Sequence, residues 1–520
     1  MKALTTFLLF LSLLTALFYS SCKEYSRNKS HQNVSLSSIK KGEVLAQKYC
    51  QSCHLFPEPS LLNAKSWEKG VLPNMAPRLG IFYFGFESYP GYKADKNVPA
   101  DFYPAKPLLS YEEWQNIIDY YTATSPDSLP IGKREVPDQN GSHLFSVETP
   151  KFSYASPAVS FSGIHTGDSL HPLVLSDVAK KITYLCSRDL SVKDSFMSSG
   201  PIVDMDLSAK QIISCDIGIL NPNNGKFGKG RFIVTDAQGR LREDSIAIFD
   251  SLRRPVQIVS ADLNNDSKTD YIICEFGNLM GSLSWMENTG NNTYKRHVLR
   301  DLPGAIRVIV NDYNHDGAAD LWALFAQGDE GVFLFTNRGG GKFDAAQVLR
   351  FPPVYGSSYF ELADFNKDGF NDIIYTCGDN ADFSPVLKPY HGVYIFINDG
   401  KNNFQQRFFY PVNGCYKAMA RDFDNDGDLD MATVAYFPDF RHHPDEGFIY
   451  LEQQGPFQFK PYTWPECRTG RWLTMDTGDV NGDGKPDILL GNFSIKPSAI
   501  ASTVEWKKGP VFLVLKNQSK

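Results

Sequence analysis

Two hydrophobic periods divide the chain. Up to about residue 125, apolar residues recur at helical spacing. Ile39 to Tyr49 ("IKKGEVLAQKY") has that spacing at Val44, Leu45 and Tyr49. In "LSYEEWQNIIDYYTA", Trp114, Ile117, Ile118 and Tyr121 fall at i, i+3, i+4 and i+7, behind a capping box of Ser110 and Glu113. Beyond residue 150 the pattern becomes short β runs cut by turn formers. "IRVIVND" leads through an acidic loop to "LWALFA", then "GVFLFTN", the Gly-rich turn "RGGGKFD" and "AAQVLRF". Four strands in one unit are the content of a propeller blade. Between the two regimes, residues 126–150 carry turn formers and no period, and read as a linker.

The β unit repeats. Asp262 opens "DLNNDSKTD", Asp312 "DYNHDGAAD", Asp364 "DFNKDGFND", Asp422 "DFDNDGDLD" and Asp479 "DVNGDGKPD", at spacings of 50, 52, 58 and 57 residues. Repeats of this length point to a propeller or solenoid. Two stretches with shortened loops, "HPLVLSDVAKKITYLCS" and "GPIVDMDLSAKQIISCDIGIL", fit as degenerate units ahead of them. That makes seven blades over residues 151–520. The last unit stops at its third strand, "GPVFLVLKN". A ring must hide its sheet edges, so His143 to Pro150 is expected to supply the missing strand. The expected fold is multidomain: a small all-α domain, then an all-β propeller of about seven four-stranded blades.

Length and charge change this picture little. At 520 residues more than one domain is expected, and a net charge of -7 with no basic stripe excludes nucleic acid as a partner. The first residues matter more. Lys2 precedes the apolar run Phe7 to Phe18, too short to span a bilayer, and Ser20, Ser21 and Cys22 follow. Residues 1–22 read as an export signal and 23–37 as a polar tether. "YSSC" resembles a bacterial lipoprotein cleavage box. That resemblance implies lipid on Cys22 and an outer-membrane-anchored protein on the periplasmic or cell-surface side.

"YCQSCHLF" holds Cys50, Cys53 and His54. A redox disulfide, half a zinc site and covalent haem attachment all use such spacing. No second Cys pair or His pair lies nearby for zinc, and no βαβ setting is visible for a thioredoxin-like site. Haem attachment needs two thiols on one turn with the imidazole beside them. With a helix before the motif and an aromatic helix at the end, residues 38–125 resemble a small class I c-type cytochrome. The resemblance implies haem c on Cys50 and Cys53, with His54 on the iron. It implies crossed terminal helices, with Gly42 making room for Tyr120 or Tyr121. Met75 is the region's single methionine and the expected sixth ligand. A redox partner protein follows.

The five acidic loops resemble the calcium loops of FG-GAP/VCBS-repeat propellers. The resemblance places Ca2+ on oxygens at loop positions 1, 3, 5 and 9, with a carbonyl at 7 and Gly at 6 for the sharp turn. The implied ligands are Asp262, Asn264, Asp266 and Asp270; Asp312, Asn314, Asp316 and Asp320; Asp364, Asn366, Asp368 and Asp372. In the last two loops they are Asp422, Asp424, Asp426 and Asp430, then Asp479, Asn481, Asp483 and Asp487. Ser267 replaces the glycine in the first loop.

Long loops between second and third strands, with Tyr390, His391, Arg441, His442 and His443, are expected to form a face for a carbohydrate or protein ligand, to which Arg468 and Trp472 contribute. Cys415 and Cys467 are candidates for a disulfide. No nucleophile–base–orienter set is visible, so no catalytic residue is assigned. The leading expectation is a haem electron-transfer protein with the propeller as platform. The alternatives are an oxidoreductase that passes substrate electrons to haem c, and a surface binding protein with haem as sensor.

Overall fold

The computed structural model describes residues 28, 31, 33–381, 383–495 and 506–519. Cys22 and the export signal lie outside the described residues. Among those described, no helix is long and apolar enough to cross a membrane.

Seven antiparallel sheets follow one another around a ring. Blade 1 begins with Val159–Ile164, blade 2 with Ile202–Asp206, blade 3 with Pro255–Ala261 and blade 4 with Ala305–Asn311. Blades 5, 6 and 7 begin with Ser357–Ala363, Cys415–Arg421 and Trp472–Gly478. Blade 2 carries one extra strand, Phe249–Leu252. In blade 7, Phe145–Glu148 pairs with Phe512–Asn517 as fourth strand, so a segment ahead of blade 1 closes the ring. Second strands such as Asp320–Phe325 and Asp430–Ala435 are buried throughout, because neighbouring blades cover both faces; this explains their continuous apolar runs. Fourth strands such as Thr293–Arg300 alternate towards solvent.

First strands of adjacent blades lie side by side around the axis. Each has a β-bulge at its start, which shifts register after the first residue in all seven blades. Several third residues then bond to the next blade. The Gln257 Oε1 accepts the Val308 N–H at 2.6 Å, Arg307 Nε donates to the Phe360 carbonyl at 2.9 Å, and Lys417 Nζ donates to the Met475 carbonyl at 2.7 Å.

Ahead of the ring sits a smaller unit. Helix α1 (Leu36–Tyr49) is capped by Ser35, and helix α2 (Tyr111–Thr124) carries the expected capping box of Ser110 and Glu113. The expectation of an all-α domain needs correction. Between the two helices lie only one-turn helical segments over residues 59–79 and a two-stranded hairpin, Tyr83–Phe84 with Glu87–Ser88. Eight prolines from residue 57 to residue 107 break up regular α-helix there. The helices do cross closely: a Cβ on Gly42 would lie 1.9 Å from the Asn116 carbonyl oxygen and 2.8 Å from the Tyr120 Cβ. Trp67, Trp114, Ile117 and Tyr121 form the core around the crossing.

This unit rests on the face of the ring that carries the second-to-third-strand loops. Tyr390 Oη donates to the Leu61 carbonyl at 3.0 Å, Asn224 Nδ2 to Asp95 at 2.9 Å, and Val354 joins the small unit's core. Residues 126–150 are docked along blades 5 and 6. Arg134 ion-pairs with buried Glu446, Tyr410 Oη donates to the Glu135 carbonyl at 2.7 Å, and Asp138 bridges to Tyr462.

Candidate functional site

Helix α1 ends at Tyr49, and the motif occupies the turn that follows. Cys50 is half-buried beneath Tyr121, Cys53 is exposed, and neither thiol is paired. Burial pushes the Cys50 thiol up to about 11, with the Tyr121 hydroxyl acting in the opposite direction. Burial therefore disfavours the thiolate of Cys50. His54 Nδ1 lies 2.9 Å from the Leu55 carbonyl oxygen. As donor there, Nδ1 leaves Nε2 as the ring nitrogen for a metal. Burial is the main cause that lowers the His54 pKa, which favours the neutral, metal-binding imidazole; Asp329 and Arg350 of blade 4 act on it with opposite signs. These features fit an iron ligand. Met75 is half-buried and ends the helical turn Leu72–Met75.

The five acidic loops join first to second strands, on the face opposite the small unit. They share one geometry. In blade 4 the Asp316 N–H donates to Asp312 Oδ1 at 3.1 Å and Asn314 Oδ1 at 3.0 Å, and the Gly317 N–H to Asp312 Oδ2 at 2.9 Å. Asp266, Asp368, Asp426 and Asp483 repeat these bonds to positions 1 and 3 of their own loops. Positions 4 and 6 are left-handed in every loop; Ser267 takes φ +64° where the others have glycine. In blade 6, one ligand oxygen each from Asp422, Asp424 and Asp426 lies within 4.8 Å of the others. This convergence of carboxylates fits a hard cation.

Position 9 has a second role that its implied place as ligand did not foresee. Asp270, Asp320, Asp372, Asp430 and Asp487 are all buried at the start of second strands. Each accepts a backbone N–H from the third strand, at 2.7 to 2.9 Å. Trp285 Nε1 also donates to Asp270, and Tyr450 Oη to Asp430. Burial raises all five, Asp430 to about 7 and Asp487 to about 6. Asp320 Oδ2 is buried, with the Tyr313 backbone N–H of its own loop acting on the carboxylate. The signal for this role was the asparagine that recurs before the Gly-rich turns: Asn337 Nδ2 donates to the Leu263 carbonyl of the preceding loop, and Asn517 Nδ2 to that of Phe423.

The long-loop face disperses the residues expected to share it. Trp472 and His391 are buried, and Tyr390 is covered by the small unit; Arg441, His442 and Arg468 remain exposed. His442 Nδ1 lies 2.8 Å from Asp439, so the histidine pair is held as loop structure. Cys415 and Cys467 are each buried and free, so the expected disulfide is absent among the described residues. The Cys415 sulfur instead lies 3.3 Å from Thr433 Oγ1 on its own blade.

Comparison with known proteins supports FG-GAP repeats. The FG-GAP-like repeat matches residues 262–323 and 312–375, which include the first three acidic loops. Integrin alpha-3 of Cricetulus griseus is 26% identical over 176 residues, 31% of this chain and 17% of its own length. Cartilage acidic protein 1 of Xenopus tropicalis is 25% identical over 339 residues, 56% of this chain and 49% of its own. The chain thus spans less than half of these relatives. Among solved structures, a Saccharomyces cerevisiae Dbp5 complex with Nup159 and Gle1 aligns at TM-score 0.40 and 12% identity, covering 74% of this chain and 98% of that one. Saccharomyces cerevisiae Sqt1 aligns at 0.42 and 10%, covering 72% and 98%.

Proposed function

We propose that this chain is an exported, lipid-anchored haem protein that transfers electrons, with its seven-bladed FG-GAP propeller as calcium-binding docking platform. The observation that carries the reading is the turn after α1. Two cysteines free of any disulfide and a histidine with its Nδ1 beside a backbone carbonyl follow a helix that crosses α2 at a glycine. Cys50 and Cys53 would hold haem c through thioethers, His54 Nε2 would bind its iron, and Met75 is the sixth-ligand candidate. The haem would supply one-electron chemistry. Asp329 and Arg350 would bring propeller charge close to His54, so docking and redox centre would be coupled through one interface. Cys22 would carry the lipid. Calcium would sit at positions 1, 3 and 5 of each loop, with the position 9 carboxylate behind it.

Protein made with haem-ligation machinery should stay coloured through denaturing electrophoresis. A colourless band, or haem lost to acid acetone, defeats the reading. Similarity to integrin alpha-3 favours a second reading, a surface binding protein in which haem is secondary. A stable protein complex that survives Cys50→Ser with unchanged affinity would select it.

A further inference from the structure

Three neighbouring first strands bring two cations and a phenol together at the axis of the ring. Arg307, Tyr359 and Lys417 are the third residues of those strands in blades 4, 5 and 6. Both cations lie against one ring: the Arg307 guanidinium carbon is 4.3 Å from the Tyr359 centroid, and Lys417 Nζ 4.8 Å. Neither has an ion-pair partner among the described residues. Arg307 donates through Nε to the Phe360 carbonyl, and its two Nη groups meet no protein acceptor there; Lys417 Nζ donates to the Met475 carbonyl. Arg421 shows the contrast, with Glu361 at 2.8 Å. Tyr359 is only 6% exposed, and its Oη is buried without a hydrogen-bond partner. Burial raises this hydroxyl, so it stays a donor, and the charges of Arg307, Glu361, Arg421 and Asp476 all reach it. An orphaned buried hydroxyl beside two unpaired cations is the complement of an anion.

The surrounding charges choose which anion. Asp206, Glu361 and Asp476, two residues further along their strands, each accept a backbone N–H from the next blade: Ser260 at 2.9 Å, Ala420 at 3.0 Å and Ile164 at 2.8 Å. These carboxylates hold blades together, and their charge fills the adjoining stretch of channel. A dianion such as phosphate meets more of that repulsion than a monoanion. In blade 2, Asp204 accepts the Ile258 N–H at 3.3 Å. Burial pushes its carboxyl up to about 7, so at neutral pH it is partly protonated and able to donate. A guanidinium fork, an ammonium and hydroxyl donors match a planar carboxylate.

We propose that the axial channel is a binding site for a small organic monocarboxylate, held by Arg307, Lys417 and the Tyr359 hydroxyl. The ligand neutralises the two cations and satisfies the orphaned hydroxyl. The site needs neither haem nor calcium, so it stands or falls apart from the reading above.

The test is calorimetric titration of the purified full chain with acetate at pH 7, with chloride at equal ionic strength as reference. One acetate should bind per ring and raise the melting temperature. Arg307→Gln should weaken binding at least about tenfold, through the loss of one charged hydrogen bond. Tyr359→Phe should weaken it as well. Because that variant removes an unsatisfied group, it should not lower the melting temperature of acetate-free protein, and it keeps the test open if Arg307→Gln fails to fold. Inorganic phosphate should bind less tightly than acetate. No acetate binding beyond that of chloride overturns the proposal, as does binding that Tyr359→Phe and folded Arg307→Gln leave unchanged. Tighter binding of phosphate overturns the monocarboxylate as ligand.

Discussion

Asp204, third residue of the first strand in blade 2, lies among Arg307, Lys417 and Asp206 inside the ring. Its surface retains some exposure to the channel, yet enclosing protein strips away most of its hydration. That desolvation is the main cause that pushes the carboxyl up to about 7; Arg307 and Lys417 oppose it and Asp206 adds to it. An unfolded aspartate titrates near 4. Between about 4 and 7 the folded chain therefore holds a proton that the unfolded chain has released, and stability falls as pH rises through that window. Lys417, lowered to about 8, acts only above it. In urea unfolding at about pH 5 and about pH 8, Asp204→Asn should show a smaller loss towards the higher pH than wild type. An identical loss in both would sink the idea. This site was not legible in the sequence. "IVDMD" gives no sign that a bulge, repeated in each blade, aims its aspartate at the axis. The acidic loops were legible because each lies within nine residues.

Among the elements, the α1–α2 crossing depends on one missing Cβ. Gly42→Ala places a carbon 1.9 Å from the Asn116 carbonyl oxygen, so the backbones must part. Overpacking of this kind costs about 1–3 kcal/mol. The small unit should melt earlier while the propeller transition is unmoved, as calorimetry would resolve; coincident shifts of both would mean the two units unfold together. The helices and their capping box were readable from period and side-chain chemistry. The hairpin was not, because "FYFGFES" has no turn type that a sequence specifies uniquely. The acidic loops make a parallel case. Asp424→Ala removes one oxygen of the blade 6 cluster, and chelator should lower the melting temperature of wild type more than that of the variant, since an ion bound only to the native state stabilises it by mass action. A wild-type melting curve unaltered by chelator, with no calcium by elemental analysis, would leave these loops as Asx turns alone.

At the scale of the whole molecule, a stretch that looks like a linker is a clamp. Residues 126–150 carry no hydrophobic period, and apart from the ring-closing strand expected at His143 to Pro150, sequence reasoning finds only turn formers there; their partners lie some three hundred residues away, beyond any local pattern. Arg134 reaches Glu446, whose carboxylate also accepts the Asn413 N–H at 3.1 Å and the Asp439 N–H at 2.8 Å. Both ionic side chains are buried, 8% and 0% exposed. Phe145–Glu148 then completes blade 7, so the same segment ties blade 6 and closes the ring. Removing one partner of a buried pair leaves the other charge without compensation, at a cost of about 3 kcal/mol. Arg134→Ala should therefore lower the whole ring's stability, with increased proteolysis between residues 126 and 150. Adding Glu446→Gln should restore part of the loss, because the remaining amide oxygen can still accept a backbone N–H and carries no charge. If Arg134→Ala is neutral, the backbone pairing of Phe145–Glu148 alone holds the ring shut, and the position of the small unit on its face depends on Tyr390 and Asp95 instead.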